Sequence, residues 1–157
     1  MSLDELLAKI DTVFTKDMPF MKQFSAKTEH FDTQNVRLQF TMSECLIGNT
    51  MSKILHGGAI SSMLDTVGGM LTMAAVFNKH LEDPVEKQMQ RVARTSTVNL
   101  MINFLRPGSG NPGDYFIAEA NLVRCGSRIT VCELALKNQK DVVLATGTGT
   151  YMNGVLA

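Results

Sequence analysis

His56, the two glycines that follow it and Asp65 are the residues of this chain whose types and spacing lend themselves to chemistry. Asp65 stands nine positions after His56, in a run that is otherwise small and apolar: Ala59-Ile60-Ser61-Ser62-Met63-Leu64-Asp65-Thr66-Val67-Gly68-Gly69. Taking an ionised carboxylate out of water without partners is costly, so such a group pairs, neutralises, or lies in a cavity where it does chemistry. Its surroundings favour the last role; the alternative is a structural Asp bonded to a neighbouring backbone or hydroxyl group. Gly57 and Gly58 sit where a helix is expected to begin. A helix N-terminus leaves N–H groups unpaired, and glycine lets a polar ligand approach them closely.

The elements that must position these residues follow from periodicity. Leu3, Leu6, Leu7, Ile10, Val13 and Phe14 recur at helical spacing, with Ser2 or Asp4 as cap, and predict an N-terminal helix over about 2–15. Residues 36–42 alternate Val36, Leu38, Phe40, Met42 against Arg37, Gln39, Thr41, the period of a half-buried strand. An earlier strand is expected around 30–32. A helix over about 57–77 carries apolar residues nearly all round, and its small residues let other backbones come close. The charged stretch 78–95 reads as a loop plus a short exposed helix. After it the period changes, and 96–105, 115–123, 129–136 and 142–152 read as strands whose short connections favour neighbouring antiparallel pairs. One buried helix with strands on both sides in sequence implies an α+β fold, a curved antiparallel sheet wrapped around a long central helix.

Composition narrows the partners. The 157 residues suit one domain, and 15 basic against 15 acidic side chains give no electrostatic case for nucleic acid or an anionic membrane. The low-charge run 57–77 is long enough to raise the question of a membrane span, but it holds Asp65, several glycines and hydroxyl residues, and reads as a buried helix. The N-terminus lacks the basic start and apolar core of a signal peptide, which places the expected location in the cytoplasm. Cys45, Cys125 and Cys132 are odd in number and without CxxC spacing, hence buried or idle thiols. His30 and His80 have no ligand spacing, so no metal site is assigned. Eleven methionines suit either a pliable apolar pocket or an ordinary core.

Four segments together resemble the hotdog-fold thioesterases, specifically the PaaI-like superfamily and its YigI-like acyl-CoA thioesterase branch. They are Ile54-Leu55-His56-Gly57-Gly58, Asp65, Phe104-Leu105-Arg106-Pro107-Gly108, and Ala145-Thr146-Gly147-Thr148-Gly149-Thr150-Tyr151-Met152. The resemblance implies an acyl-CoA substrate, no cofactor, a homodimer with a continuous sheet and active sites at the interface, and association into a dimer of dimers.

It also implies roles. Thioester hydrolysis builds negative charge on the carbonyl oxygen, and in the related enzymes the amide at the position of Gly57 polarises that carbonyl, aided by the helix dipole. Asp65 then acts as nucleophile or as the base that activates water. Gly57 and Asp65 lie eight residues apart, about 12 Å along an ideal helix, so one helix does not easily bring both to one carbonyl, whereas two subunits do. His56 reads as a loop-ordering residue, with a role as base the alternative. Asn49 would contact the thioester or hold His56, although relatives place that Asn where Thr50 stands here. Thr97 would orient water near the nucleophile, or is an ordinary strand residue, and Asn99 replaces an Asp common in relatives. Gly58 belongs to the substrate loop. Arg106, Arg124 and Arg128 flank glycine-containing turns and either pair with coenzyme A phosphates or are solvated turn charges. The substrate expected is a medium- to long-chain acyl-CoA, with an aromatic acyl group as the variant. The other classes are a hotdog 3-hydroxyacyl thioester dehydratase or hydratase, and a non-catalytic acyl-CoA binding module.

Overall fold

A computed structural model describes residues 1–154; the last three positions of the domain expected over 1–157 lie outside the described residues. Helix α1 (Leu3–Thr12) starts on a capping box. The Glu5 N–H donates to Ser2 Oγ at 3.2 Å and the Ser2 N–H to Glu5 Oε2 at 3.0 Å. The helix buries Leu6 and Ile10, then widens into one π turn over Val13–Asp17 where the sequence predicts plain helix to 15. A Pro19-initiated 3-10 turn follows and buries Met21 and Phe24.

Strands β1 (Lys27–Phe31), β2 (Asn35–Thr41), β5 (Ser96–Phe104), β6 (Tyr115–Cys125), β7 (Ile129–Asn138) and β8 (Val143–Met152) form one antiparallel sheet in the order β1-β2-β6-β7-β8-β5. A small hairpin of β3 (Ile47–Asn49) and β4 (Ile54–Leu55) stands apart. In β2 the alternation holds as expected, with Val36, Leu38 and Phe40 turned inward. The sheet order corrects one expectation. β5 and β6 are not neighbours, because β8 and β7 lie between them, so the Pro- and Gly-containing segment 105–114 is a crossover rather than a hairpin. That segment is stapled to the approach of the central helix: the Leu55 N–H donates to Gly108 O at 3.0 Å, and Ser109 bridges Ile54.

Helix α2 (Gly57–Lys79) lies across the sheet and runs two residues beyond the predicted end. Met63, Leu64, Val67, Met70, Leu71 and Phe77 are fully buried, each contributing about 1.5–3 kcal/mol of transfer free energy. The helix is long and apolar enough to cross a bilayer, yet 67 % of its most apolar stretch is buried in the fold. Its open side carries Ser61, Ser62, Asp65, Thr66, Gly69 and Met73, so the residues expected to be apolar all round leave one hydroxyl-rich face partly accessible. Helix α3 (Val85–Ala93) is tied to the end of α2 by buried Gln88, whose Nε2 donates to His80 O at 2.8 Å and Leu81 O at 3.0 Å. All three cysteines are free thiols, and burial pushes the Cys132 thiol up to about 11.

Tyr151, on β8, reaches between two glycines to the middle of α2. A Cβ on Gly68 would clash outright with the phenol oxygen, and one on Gly149 would stand 2.5 Å from it. Gly68→Ala therefore forces backbone or ring displacement and is expected to cost about 2 kcal/mol by overpacking. Thermal unfolding should report this as a melting midpoint lower by about 5 °C.

Candidate active site

His56 has extended backbone and caps α2 with its ring: the Gly58 N–H donates to Nδ1 at 2.7 Å. The His56 N–H in turn donates to Leu46 O at 2.8 Å. Accepting at Nδ1 leaves the proton of a neutral imidazole on Nε2, so Nδ1 cannot take a proton from substrate without giving up the cap. Gly48 packs directly beneath this residue; a Cβ there would lie 2.9 Å from His56 Cα. His56→Ala should lower stability by about 1 kcal/mol, the usual value of a cap. His56→Asn, which restores an acceptor but no base, should recover both the melting midpoint and the turnover lost in the Ala variant. Recovery of the midpoint alone would instead assign the ring a proton-transfer role.

Asn49 is not where the resemblance would have it. Its Oδ1 accepts from the N–H groups of Met51 and Ser52, both at 3.1 Å, and so closes the turn between β3 and β4. The side-chain oxygen serves the local turn instead of His56, because the one-position offset from Thr50 points it into that turn.

With the Gly58 amide taken by His56, the Gly57 N–H has no acceptor among the described residues. It opens at the positive end of α2 into a cavity of about 290 Å³ walled by Leu55, Phe104, Leu105, Arg106 and Pro107. An unpaired donor at that point is set to bind an anionic or polarised oxygen.

Asp65 is half-buried, and its Oδ1 accepts from the Thr97 hydroxyl of β5 at 2.9 Å. The cavity it faces, about 420 Å³, takes hydroxyls from Ser62, Thr66 and Tyr151 and apolar walls from Phe14, Met18 and Met73. Asp65 is its one carboxylate among the described residues. The helix hydroxyls nearby are committed: Ser61 donates to Gly57 O at 2.9 Å, Ser62 to Gly58 O at 2.7 Å and Thr66 to Ser62 O at 2.8 Å. Their protons point back along the helix, which leaves Asp65 as the available base or nucleophile.

Tyr151 is the site residue that sequence reasoning missed. Its phenol donates to the Asp65 backbone carbonyl at 3.3 Å and lines the same cavity. Burial, with the nearby Asp65 charge, pushes its ionisation far above the ordinary range, so it stays a neutral donor. The two glycines facing it, Gly68 and Gly149, were the signal.

The three arginines do not converge. Arg106 lies by the Gly57 cavity, its Nη1 donating to Val143 O at 2.9 Å. Arg124 and Arg128 flank the β6–β7 turn, where Lys79, at the far end of α2, donates to Cys125 O at 3.1 Å and Gly126 O at 2.6 Å. A helix of 23 residues puts about 33 Å between those ends. Within one chain, then, the structure brings Asp65 and Thr97 together and His56 with Gly57 and Gly58, and keeps the two groups in separate cavities.

A family model described as the Thioesterase superfamily matches residues 52–145, which is more than half of the chain and includes His56, Gly57, Asp65 and Thr97. The chain belongs to the thioesterase superfamily. This thioesterase is 30% identical over 154 residues to the medium/long-chain acyl-CoA thioesterase YigI of Salmonella typhimurium, covering 98% of this chain and 97% of that one. The Escherichia coli K12 protein of the same name is 29% identical over the same span. Among solved structures, a Shewanella oneidensis protein related to the thioesterase superfamily superposes with a TM-score of 0.88 at 32% identity, covering 97% of each chain. The PaaI protein of the E. coli phenylacetic acid degradation operon, at 18% identity and a TM-score of 0.75, covers 97% of this thioesterase and 96% of that chain, and shows a shared hotdog fold. The thioesterase is accordingly a thioester hydrolase of the acyl-CoA thioesterase family.

Proposed function

We propose that this chain hydrolyses medium- to long-chain acyl-CoA at sites built between two subunits, each from the Gly57 amide of one and Asp65 of the other. The observation that carries this reading is the separation just described: a free amide and a held carboxylate, about 12 Å apart along one helix, opening into different cavities. In the reaction the thioester carbonyl oxygen accepts from the Gly57 N–H. Its carbon is attacked either by a water that gives its proton to Asp65, which passes it to the departing sulfur as the C–S bond breaks, or by Asp65 itself. In the second case the C–S bond breaks to release the thiolate, and water then cleaves the acyl–Asp anhydride, freeing the acid, regenerating the carboxylate and supplying the proton of coenzyme A thiol. The amide gains most as charge develops on the oxygen, which lowers the barrier rather than only tightening binding.

The edge strand supports the pairing. β5 is nine residues long and largely exposed on both faces, with Val98 54%, Met101 58% and Phe104 56% accessible. A long apolar edge strand is a template for another strand, and a second copy of the chain meets that need while placing its own α2 across the seam. A dimer of dimers is the further assembly proposed. YigI of Salmonella and E. coli, named for medium and long acyl chains, motivates the chain length. The ring of His56, engaged as a cap, speaks against a dehydratase.

Release of free thiol from a graded panel of acyl-CoA substrates tests the reading, with turnover expected to rise from short to medium and long chains. Tight binding without thiol release would instead identify a binding module, and water addition to enoyl thioesters a hydratase.

A further inference from the structure

A cavity of about 740 Å³ lies between α1, its π turn and α3, walled by Leu6, Ile10, Val13, Met89 and Val92. It is the size of a small-molecule site, and its exposed polar residues, Lys9, Thr12 and Asp17, occupy the rim. Phe14, Met18 and Met73 line both this cavity and the one that holds Asp65, so the two spaces meet at those three side chains. The passage between them runs along one face of α2, through Asp65, Gly69 and Met73 at successive turns. The space over Gly69 is open: a Cβ there would meet nothing within 4 Å. Two of the three side chains at the junction are methionines, whose flexible thioethers repack around chains of different length. Phe14 belongs to the π turn, a distortion that often marks functional sites, and lines both cavities.

We propose that this α1–α3 groove is the binding subsite for the distal part of a long acyl chain whose carbonyl lies beside Asp65. The assignment rests on the acyl-CoA hydrolase reading and adds to it where the tail lies and what length engages it. The eight residues from Asp65 to Met73 span about 12 Å of helix. At about 1.3 Å of advance per C–C bond, that distance takes roughly nine methylenes. Chains of ten carbons or fewer therefore end in the passage, and longer ones enter the groove.

Ala8 of α1 and Ala93 of α3 both line the groove and both are exposed, so a large side chain at either position occupies the groove without entering the core. In Ala93→Trp and in Ala8→Trp, the ratio of kcat/KM for palmitoyl-CoA to that for hexanoyl-CoA should fall tenfold or more. Binding of cis-parinaric acid, an 18-carbon fluorescent fatty acid, should weaken by a similar factor. If wild type releases no thiol from any acyl-CoA but binds the probe in a way both variants weaken, the hydrolase reading falls and the groove stands as an acyl site. If hydrolysis proceeds while both variants keep the chain-length ratio and probe binding within twofold, the groove assignment is overturned. A change of oligomeric mass in both variants with the ratio unmoved also overturns it, since the groove is then a contact between copies.

Discussion

Asp65→Asn is expected to reduce kcat for acyl-CoA hydrolysis by about 10²–10⁴-fold, the range associated with loss of a positioned proton-transfer group. The substitution isolates charge and basicity from everything else. Asn has nearly the same volume, and its amide oxygen can still accept from the Thr97 hydroxyl, which now meets Asp65 Oδ1 at 2.9 Å. The rest of the site is held by the Asp65 backbone carbonyl, which Tyr151 reaches whatever the side chain. Melting midpoint and KM should thus stay close to wild type while turnover collapses. Asp65→Ala should be as inactive and in addition leave the Thr97 hydroxyl without its acceptor. Thiol release measured at saturating substrate decides the matter; wild-type rates in both variants would sink the assigned mechanism.

Gly57→Pro should cost about 10²–10³-fold in kcat, the effect of deleting one donor to a developing oxyanion. Proline is well suited to the first position of a helix, and the extended backbone of His56, at φ −63° and ψ 135°, is what a residue before proline prefers. The change removes the N–H and little else. Gly57→Ala is the matched control, because its Cβ would meet Phe104 at 3.5 Å, an ordinary contact, and the N–H survives. Co-expression of Gly57→Pro and Asp65→Asn chains then asks where the two groups meet. In a mixed dimer one site draws Gly57 and Asp65 from the two unaltered positions, and random pairing restores about a quarter of wild-type activity. If both groups served the same site from one chain, the mixture would stay as inactive as its parents.

Much of this arrangement was legible in the sequence, and the misses have physical causes. The central helix and the three strands β6, β7 and β8 were readable because long periodic segments advertise their buried faces. The 105–114 crossover resembled a hairpin because proline and glycine report a change of direction, not which strand lies alongside. β3 and β4 were too short to show a period, and the π turn after α1 has no compositional mark at all. In the site, His56, Gly57 and Asp65 stood out by type and spacing, and Thr97 by resemblance. Asn49 misled because a turn one residue away competes for its side chain. The arginines sit at turns adjoining opposite ends of α2, which turn sequences do not reveal. Tyr151 escaped because its place depends on two glycines that meet only after the sheet has closed over the helix.

That last contact has a consequence for how the chain can change over time. Tyr151 occupies space that a methyl group at either Gly68 or Gly149 would claim. The three positions therefore behave as one locus: an alanine at a glycine position is harmful while the phenol is in place and far less so after a smaller residue has replaced it. The smaller residue, arriving first, forfeits the hydrogen bond to the Asp65 carbonyl. Each order of substitution passes through a weakened intermediate, so the path away from Gly68, Gly149 and Tyr151 is steep from every side.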